Sequence, residues 1–420
     1  MLTGTMEREL VASPKDRYII ERYLAEGGMG AVFLGRKQGV GGFEKQVVLK
    51  QLLPEFTKRE EFIELFLREA RVSASLDHAN IVHTIDLLQS GDTYYMVMEY
   101  VRGADLQTLL RRARKRDELY KPGFAVSVAR SLLDALVYAS NKTGEDGRPL
   151  RLIHRDISPS NVLVSESGEM KLTDFGIAKV ATHTSVFQRV KGKFGYMSPE
   201  QATGQLIDQR SDLFAVGVVL YESLVGERLF VAEMTTSPAE IFAQPIVPPS
   251  ARRPGLPPQL DEVVLKALRL DRNERYQSAE EFQSALSDVT RRFGLFAGPS
   301  DVMQDLRRVC GDPSTWLNPE EDAAPAGGTA RVTAAPASEL PEPVALQSIL
   351  MNPGSEVQMA PMAFFEHALS MQDDRDQALA KPSIFKWVLL AIVVAAAVAL
   401  GITLSGPGLH VPAASPGGGK

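Results

Sequence analysis

Residues 24–34 read LAEGGMGAVFL, with glycines set between two short β-prone runs. A chain built this way turns tightly and can bring backbone N–H groups up to phosphate oxygens. By itself the signal is weak, because glycine-rich hairpins are common for reasons unconnected with ligands. Further on, VVLK ends a predicted strand at Lys50, whose ammonium could neutralise such phosphates. Nineteen residues later Glu69 lies in the helical run FIELFLREARVSASL, spaced to face inward and pair with that lysine. A charge on an amphipathic helix is usually part of its solvated face, so Glu69 gains meaning only from the order of its neighbours.

These groups need a folded frame, and the sequence supplies one. The chain has 420 residues, 44% apolar and 23% charged, which is enough to bury a core and too long for one average domain. Its formal net charge of -6 gives no overall basic field, which disfavours a nucleic-acid role. Cys310, the single cysteine, fits a reducing compartment, and the N-terminal MLTGTMEREL lacks the pattern of a secretory signal. From residue 18 to about 289, strand-like runs (31–34, 46–51, 94–100) alternate with amphipathic helical runs (60–75, 124–140). The stretch 141–150, NKTGEDGRPL, reads as an exposed turn.

The glycine loop, VVLK, the helix glutamate, YYMVMEYV, HRDISPSN (154–161), DFG and SPE follow one another in an order that resembles the eukaryotic-like serine/threonine protein kinases of bacteria over residues 18–289. The resemblance implies an α+β, bilobal protein kinase fold, with a small β-rich N-lobe and a larger helical C-lobe. It implies ATP as phosphoryl donor, magnesium (or manganese) as the ion, and protein hydroxyls as acceptors. Carried over by position, Leu24, Ala25, Gly27, Gly28, Gly30 and Val32 would cover the nucleotide, with Ala25 replacing the usual first glycine. Lys50 would hold phosphates and Glu69 would orient Lys50. Val48 would sit against the adenine where the family prefers alanine, and Met98 would be the gatekeeper. Glu99 and Val101 would offer hinge backbone to the base, and Asp105 would face the ribose. Asp156 would accept the substrate hydroxyl proton, while Asn161 and Asp174 would hold the metal. Glu200 would pair with Arg275, and Asp212 would brace the catalytic loop. Arg155, preceding Asp156, implies control by activation-loop phosphorylation, with Thr182, Thr184 and Ser185 as candidates and a dimer for phosphorylation in trans.

Two positions depart from the family. Ser158 stands where a lysine normally touches the γ-phosphate, and Lys193, in GKFGYMSPE, stands where a threonine normally bridges that lysine to the aspartate. One position has lost an ammonium and the other has gained one. A lysine stem spans roughly 6 Å, so Lys193 could carry the displaced charge, with Ser158 as a small hydrogen-bonding partner. Tyrosine kinases also move this charge within their catalytic loops, but the rest of the loop and the SPE segment resemble the serine/threonine branch, so serine and threonine hydroxyls are the expected acceptors. Two other readings compete with a working enzyme. A membrane-tethered pseudokinase scaffold would have no reason to keep the base and both metal ligands. A small-molecule phosphotransferase fits poorly with an SPE segment that resembles a peptide-substrate platform.

Beyond the kinase-like region, residues 290–383 read as a largely disordered linker, Ala-, Pro- and Gly-rich with acidic residues after about 313. Residues 387–404, WVLLAIVVAAAVALGITL, are 18 uncharged residues, long enough for one membrane span. Lys381 and Lys386 precede it, which places the kinase-like region in the cytoplasm and the tail, 405–420, outside. The expected location is the inner membrane, crossed once.

Overall fold

The structure, a computed structural model, describes residues 10–12, 17–27, 29–144, 147–175, 193–231 and 237–316. Gly28, the activation-loop candidates Thr182, Thr184 and Ser185, and the expected span and tail lie outside them. The rest of the expected linker, beyond residue 316, lies outside them as well.

The N-lobe is an antiparallel sheet of β1 (Leu10–Ala12), β2 (Arg17–Glu26), β3 (Gly30–Gln38), β4 (Glu44–Leu52), β5 (Thr84–Ser90) and β6 (Thr93–Glu99), in the order β1-β2-β3-β4-β6-β5. The two-residue period of a strand decides which side chains face the cleft. Val47 and Leu49 of β4 join Tyr95 and Val97 of β6 in one apolar cluster. The residues between them turn to the other face, where Val48 is paired with Met98 and Lys50 with Met96. That second face is covered by α1 (Glu60–Ser75), whose buried residues Phe62, Leu65, Phe66, Glu69 and Ala70 recur at helical spacing. The inward stripe therefore carries one carboxylate, opposite Lys50.

The C-lobe begins with β7 (Gly103–Asp105), α2 (Leu106–Lys115) and α3 (Pro122–Asn141), followed by β8 (Val162–Ser165) and β9 (Met170–Leu172), which join β7 in a small sheet. After α4 (Pro199–Ala202) comes α5 (Gln209–Val225), buried on every side from Ser211 to Val225, as expected of a helix without a polar face. Asp208 caps its start, and Gly226, at φ 83°, ends it in the left-handed region. The short α6 (Pro238–Phe242) and α7 (Pro249–Arg252), then α8 (Pro258–Ala267) and α9 (Ala279–Phe293), complete the lobe. Among the described residues, α3 alone is long and apolar enough to cross a membrane, and ten of its residues lie in the C-lobe core. In the 141–150 turn, Thr143 bridges Pro149 and Gly147 takes φ 75°.

One expectation is corrected. The expected linker begins at residue 290, directly after the kinase-like region, yet α10 (Pro299–Cys310) and α11 (Pro313–Trp316) are packed helices. Val302, Leu306, Val309, Cys310 and Trp316 belong to the C-lobe core. The buried carboxylate of Asp305 accepts the backbone N–H of Lys121 at 2.6 Å, and Arg112 and Arg116 of the α2 region donate to the carbonyls of Thr315 and Val309. The boundary at 290 follows the end of the motif pattern and not the change in composition after about 313; α10 is polar on average, and its apolar stripe makes sense only against α2 and α3. Leu306→Ala should therefore cost about 2–5 kcal/mol of unfolding free energy in a denaturant titration, as for other buried leucines; a loss below about 0.5 kcal/mol, typical of a surface site, would return α10 to the linker.

Candidate active site

The glycine loop joins β2 to β3, and Gly27 donates to the carbonyl of Gly30 at 2.9 Å to close the turn. Gly30 is needed for a close approach: a Cβ there would lie 2.8 Å from the Gln51 carbonyl and 3.4 Å from Lys50 Cγ. Ala25 sits inside β2, opposite Val32, so the missing first glycine leaves the strand pairing intact.

Lys50 Nζ donates to Glu69 Oε1 at 2.6 Å and to Asp174 Oδ1 at 2.8 Å. Burial by itself would lower the lysine pKa, but Asp174 and Glu69 outweigh it and hold Lys50 well above its ordinary value. Asp174 is pushed the opposite way: burial opposes its charge, and the Lys50 ammonium overcomes that and lowers its pKa. Glu69 is pushed up: its burial disfavours the charged form and outweighs the attraction of the Lys50 ammonium. Asp174 adopts φ 58°, a left-handed conformation that costs a non-glycine residue roughly 1 kcal/mol or more. Its neighbour Phe175 is buried against the His154 ring at 4.7 Å.

On the facing lobe, Asn161 Nδ2 donates to Asp156 Oδ2 at 3.0 Å and to the Asp156 carbonyl at 2.8 Å. Lys193 Nζ reaches the same Asp156 Oδ2 at 2.8 Å and Asn161 Oδ1 at 3.3 Å. Ser158 is buried, with its hydroxyl 3.1 Å from that of Ser160. Asp156, Asn161 and Lys193 thus form one cluster, in which the ammonium contacts the aspartate directly. The loop is held from beneath by Asp212, which accepts the N–H groups of His154 at 2.7 Å and Arg155 at 2.8 Å. Arg155 also sits at positive φ, 67°. His154 Nε2 lies 3.1 Å from the Thr173 carbonyl, linking this loop to the residue before Asp174. The expected Glu200–Arg275 pair is present and bidentate, at 2.7 and 2.8 Å.

Toward the base pocket, Met98 is buried, and Val48, Val101 and Leu163 pack on the apolar cluster that contains it. Leu163 is not a residue that sequence reasoning singles out; its one signal is its place in β8, two residues past Asn161. Asp105 caps α2, accepting both the N–H and the hydroxyl of Thr108 at 2.9 Å, a structural duty that the motif pattern does not announce.

The described residues contain no group of three or more His, Cys, Asp or Glu side chains fit to cage a metal. A carboxylate (Asp174) and an amide oxygen (Asn161) are hard donors that suit a magnesium ion completed by phosphate oxygens and water. Asn161 uses its amide N–H on Asp156, so the donor oxygen is the other end of the same group.

Comparison with known proteins decides the family. The model named "Protein kinase domain" matches residues 18–286. This chain belongs to the protein kinase family. Among curated relatives, "Tyrosine-protein kinase MasK" of Myxococcus xanthus is 44% identical over 283 residues, 65% of this chain and 43% of that protein. "Serine/threonine-protein kinase PrkC" of Bacillus subtilis is 35% identical, covering 64% of this chain and 40% of the relative. "Serine/threonine-protein kinase PknB" of Mycobacterium leprae is 36% identical, covering 70% and 46%. The chain therefore spans less than half the length of these relatives. A crystal structure of the Mycobacterium tuberculosis PknI kinase domain aligns with TM-score 0.50 and 29% identity, over 65% of this chain and 96% of that one. The bilobal fold expected from the motifs is the fold observed.

Burial pushes the Asp212 carboxyl up to about 6, against the two backbone N–H groups that favour its charge. Because its pKa is higher in the folded kinase than in the unfolded chain, its contribution to stability is largest below about pH 4 and declines as the pH rises to about 6. Asp212→Asn sets an amide N–H₂ against one backbone N–H and should cost about 1–3 kcal/mol. The stability gap between native and variant should narrow from pH 4 to pH 6 in denaturant titrations; a gap that widens over that window would show the carboxyl to be depressed instead.

Proposed function

We propose that this chain is an ATP-dependent protein kinase that transfers the γ-phosphoryl group to serine or threonine hydroxyls of proteins, its own chain included. The observation that carries the reading is the intact Lys50–Glu69–Asp174 triad facing Asp156 and Asn161 across the cleft. A scaffold that only binds partners has no use for a base and two metal ligands kept together. PrkC and PknB, named as serine/threonine kinases, support the acceptor. In this reading Lys50 neutralises phosphates, and Asp156 accepts the hydroxyl proton. Val48, Met98, Glu99 and Val101 surround the base, and Asp105 faces the ribose. Bound magnesium would offset charge on the transferred group.

A tyrosine acceptor is the second reading. It is favoured by the 44% identity to a relative named as a tyrosine kinase, together with the Lys193–Asp156 contact. Under either acceptor, Lys193 carries the cation that the catalytic loop lacks at Ser158. Two residues that share one electrostatic role are non-additive when mutated. Labelled ATP should be turned over by the wild-type chain and not by Asp156→Asn. Lys193→Thr should lose about a hundredfold in rate. Ser158→Lys alone should also lose rate, by crowding two ammonium groups, and the double variant should recover much of what Lys193→Thr lost. Simple additivity removes Lys193 from this role, an active Asp156→Asn removes the base assignment, and phosphoamino-acid analysis of the product separates serine/threonine from tyrosine.

We further propose that residues 387–404 anchor the chain in the inner membrane with the kinase domain in the cytoplasm. The 18 uncharged residues and the preceding Lys381 and Lys386 support this. The full chain should stay with membranes after carbonate extraction, and a chain ending at residue 380 should be released; a full chain found in the soluble fraction would rule the anchor out.

A further inference from the structure

Lys171 and Glu99 lie on different lobes and meet between them. Lys171 Nζ is 2.7 Å from Glu99 Oε1, and the same carboxylate oxygen accepts the His83 N–H at 2.8 Å. Glu99 also donates its own N–H to the His83 carbonyl at 2.9 Å, so the last residue of β6 is tied down by main chain and side chain together. The pair is substantially desolvated, with side chains 18% and 24% exposed, and such a pair is screened less than one on the surface.

The strand that carries Lys171 gives this contact its meaning. In β9, Met170 and Leu172 are buried, so Lys171 between them points to the opposite face, by the two-residue period of a strand. The backbone of β9 is stitched to the segment before β5: Leu172 donates to Asn80, Val82 donates to Leu172, and Asn80 Nδ2 donates to the Met170 carbonyl. Two residues beyond Leu172 is Asp174, which holds Lys50. One end of β9 thus leads into the phosphate and metal side of the cleft. The Lys171 side chain meanwhile grips the strand end from which residues 99–101 line the base side.

We propose that the Glu99–Lys171 ion pair is a positioning device for ATP: it holds the base-side wall of the cleft at a set distance from the strand that presents Asp174. This rests on the kinase reading and adds to it Lys171, and a task for the Glu99 side chain, which act through backbone placement and not through contact with phosphate. Loss of the pair should loosen the fit to the nucleotide while leaving the reacting groups Asp156, Asn161 and Lys193 undisturbed. The effect belongs to nucleotide affinity and not to turnover.

The test uses the full chain in detergent, with magnesium-ATP affinity measured by calorimetry and initial rates measured on the same preparations. Lys171→Met should weaken ATP binding and raise KM for ATP by about fivefold, the size of one partly desolvated pair, with kcat within about twofold of wild type. Lys171→Gln, which keeps a donor for Glu99 but loses the charge, should do the same. Lys171→Arg, which keeps the charge, should retain most of the affinity, and Lys171→Gln carries the comparison if Lys171→Met does not fold. Unchanged affinity in Lys171→Met, or a fall in kcat with KM unmoved, overturns the proposal. A wild-type chain that binds no ATP would instead overturn the kinase reading, and the proposal with it, so the two failures are told apart by the wild-type measurement.

Discussion

The structure turns on one ammonium group. Lys50 lies inside the protein between two carboxylates, one from α1 and one from the loop after β9, 124 residues away in sequence. Of the three, Glu69 is buried while Lys50 and Asp174 are partly so, and the buried carboxyl is tolerable only while the ammonium meets it, because breaking such a contact leaves a desolvated polar group without its partner. The register of β4, the rotation of α1 and the left-handed kink at Asp174 must therefore all be right together. Each is separately enforced: β4 by its pairing to β3 and β6, α1 by its apolar stripe, and Asp174 by the burial of Phe175.

The C-lobe repeats this logic with backbone groups. The carboxylate of Asp212, on a helix buried over nearly its whole length, accepts two consecutive N–H groups of the catalytic loop and so sets the path of His154 and Arg155. A loop held by main-chain bonds tolerates exchange of its side chains, which makes the Ser158 and Lys193 departures understandable. Lys193 Nζ stands 2.8 Å from the Asp156 carboxylate.

Helices α10 and α11 extend this frame past the part that resembles other kinases. They cover the far end of α2, whose near end is capped by Asp105. The same helix therefore connects the Asp105 cap with the point where the described chain ends, at Trp316.

Much of this was legible in the sequence, where local physics suffices. The 3.6-residue period of FIELFLREARVSASL turned Glu69 inward, and the observed α1 spans the same 60–75 run. The two-residue period of VVLK separated Val48 and Lys50 from Val47 and Leu49, and the order of motifs announced the bilobal fold. Other features depend on neighbours distant in the chain. The stripe of α10 looked like polar linker until α2 and α3 stood beside it. Leu163 is an ordinary strand leucine until the cluster around Met98 forms, and Asp105 acquires its capping duty from Thr108 only once α2 is wound. Whether an ammonium at 193 meets a carboxylate at 156 is decided by the fold that brings them together over 37 residues of chain, and so is the meeting of Lys171 with Glu99 over 72. Spacing along a sequence encodes the faces of helices and strands, because their periods are fixed by backbone geometry; which faces then meet is decided by burial, and that is a property of the whole folded chain.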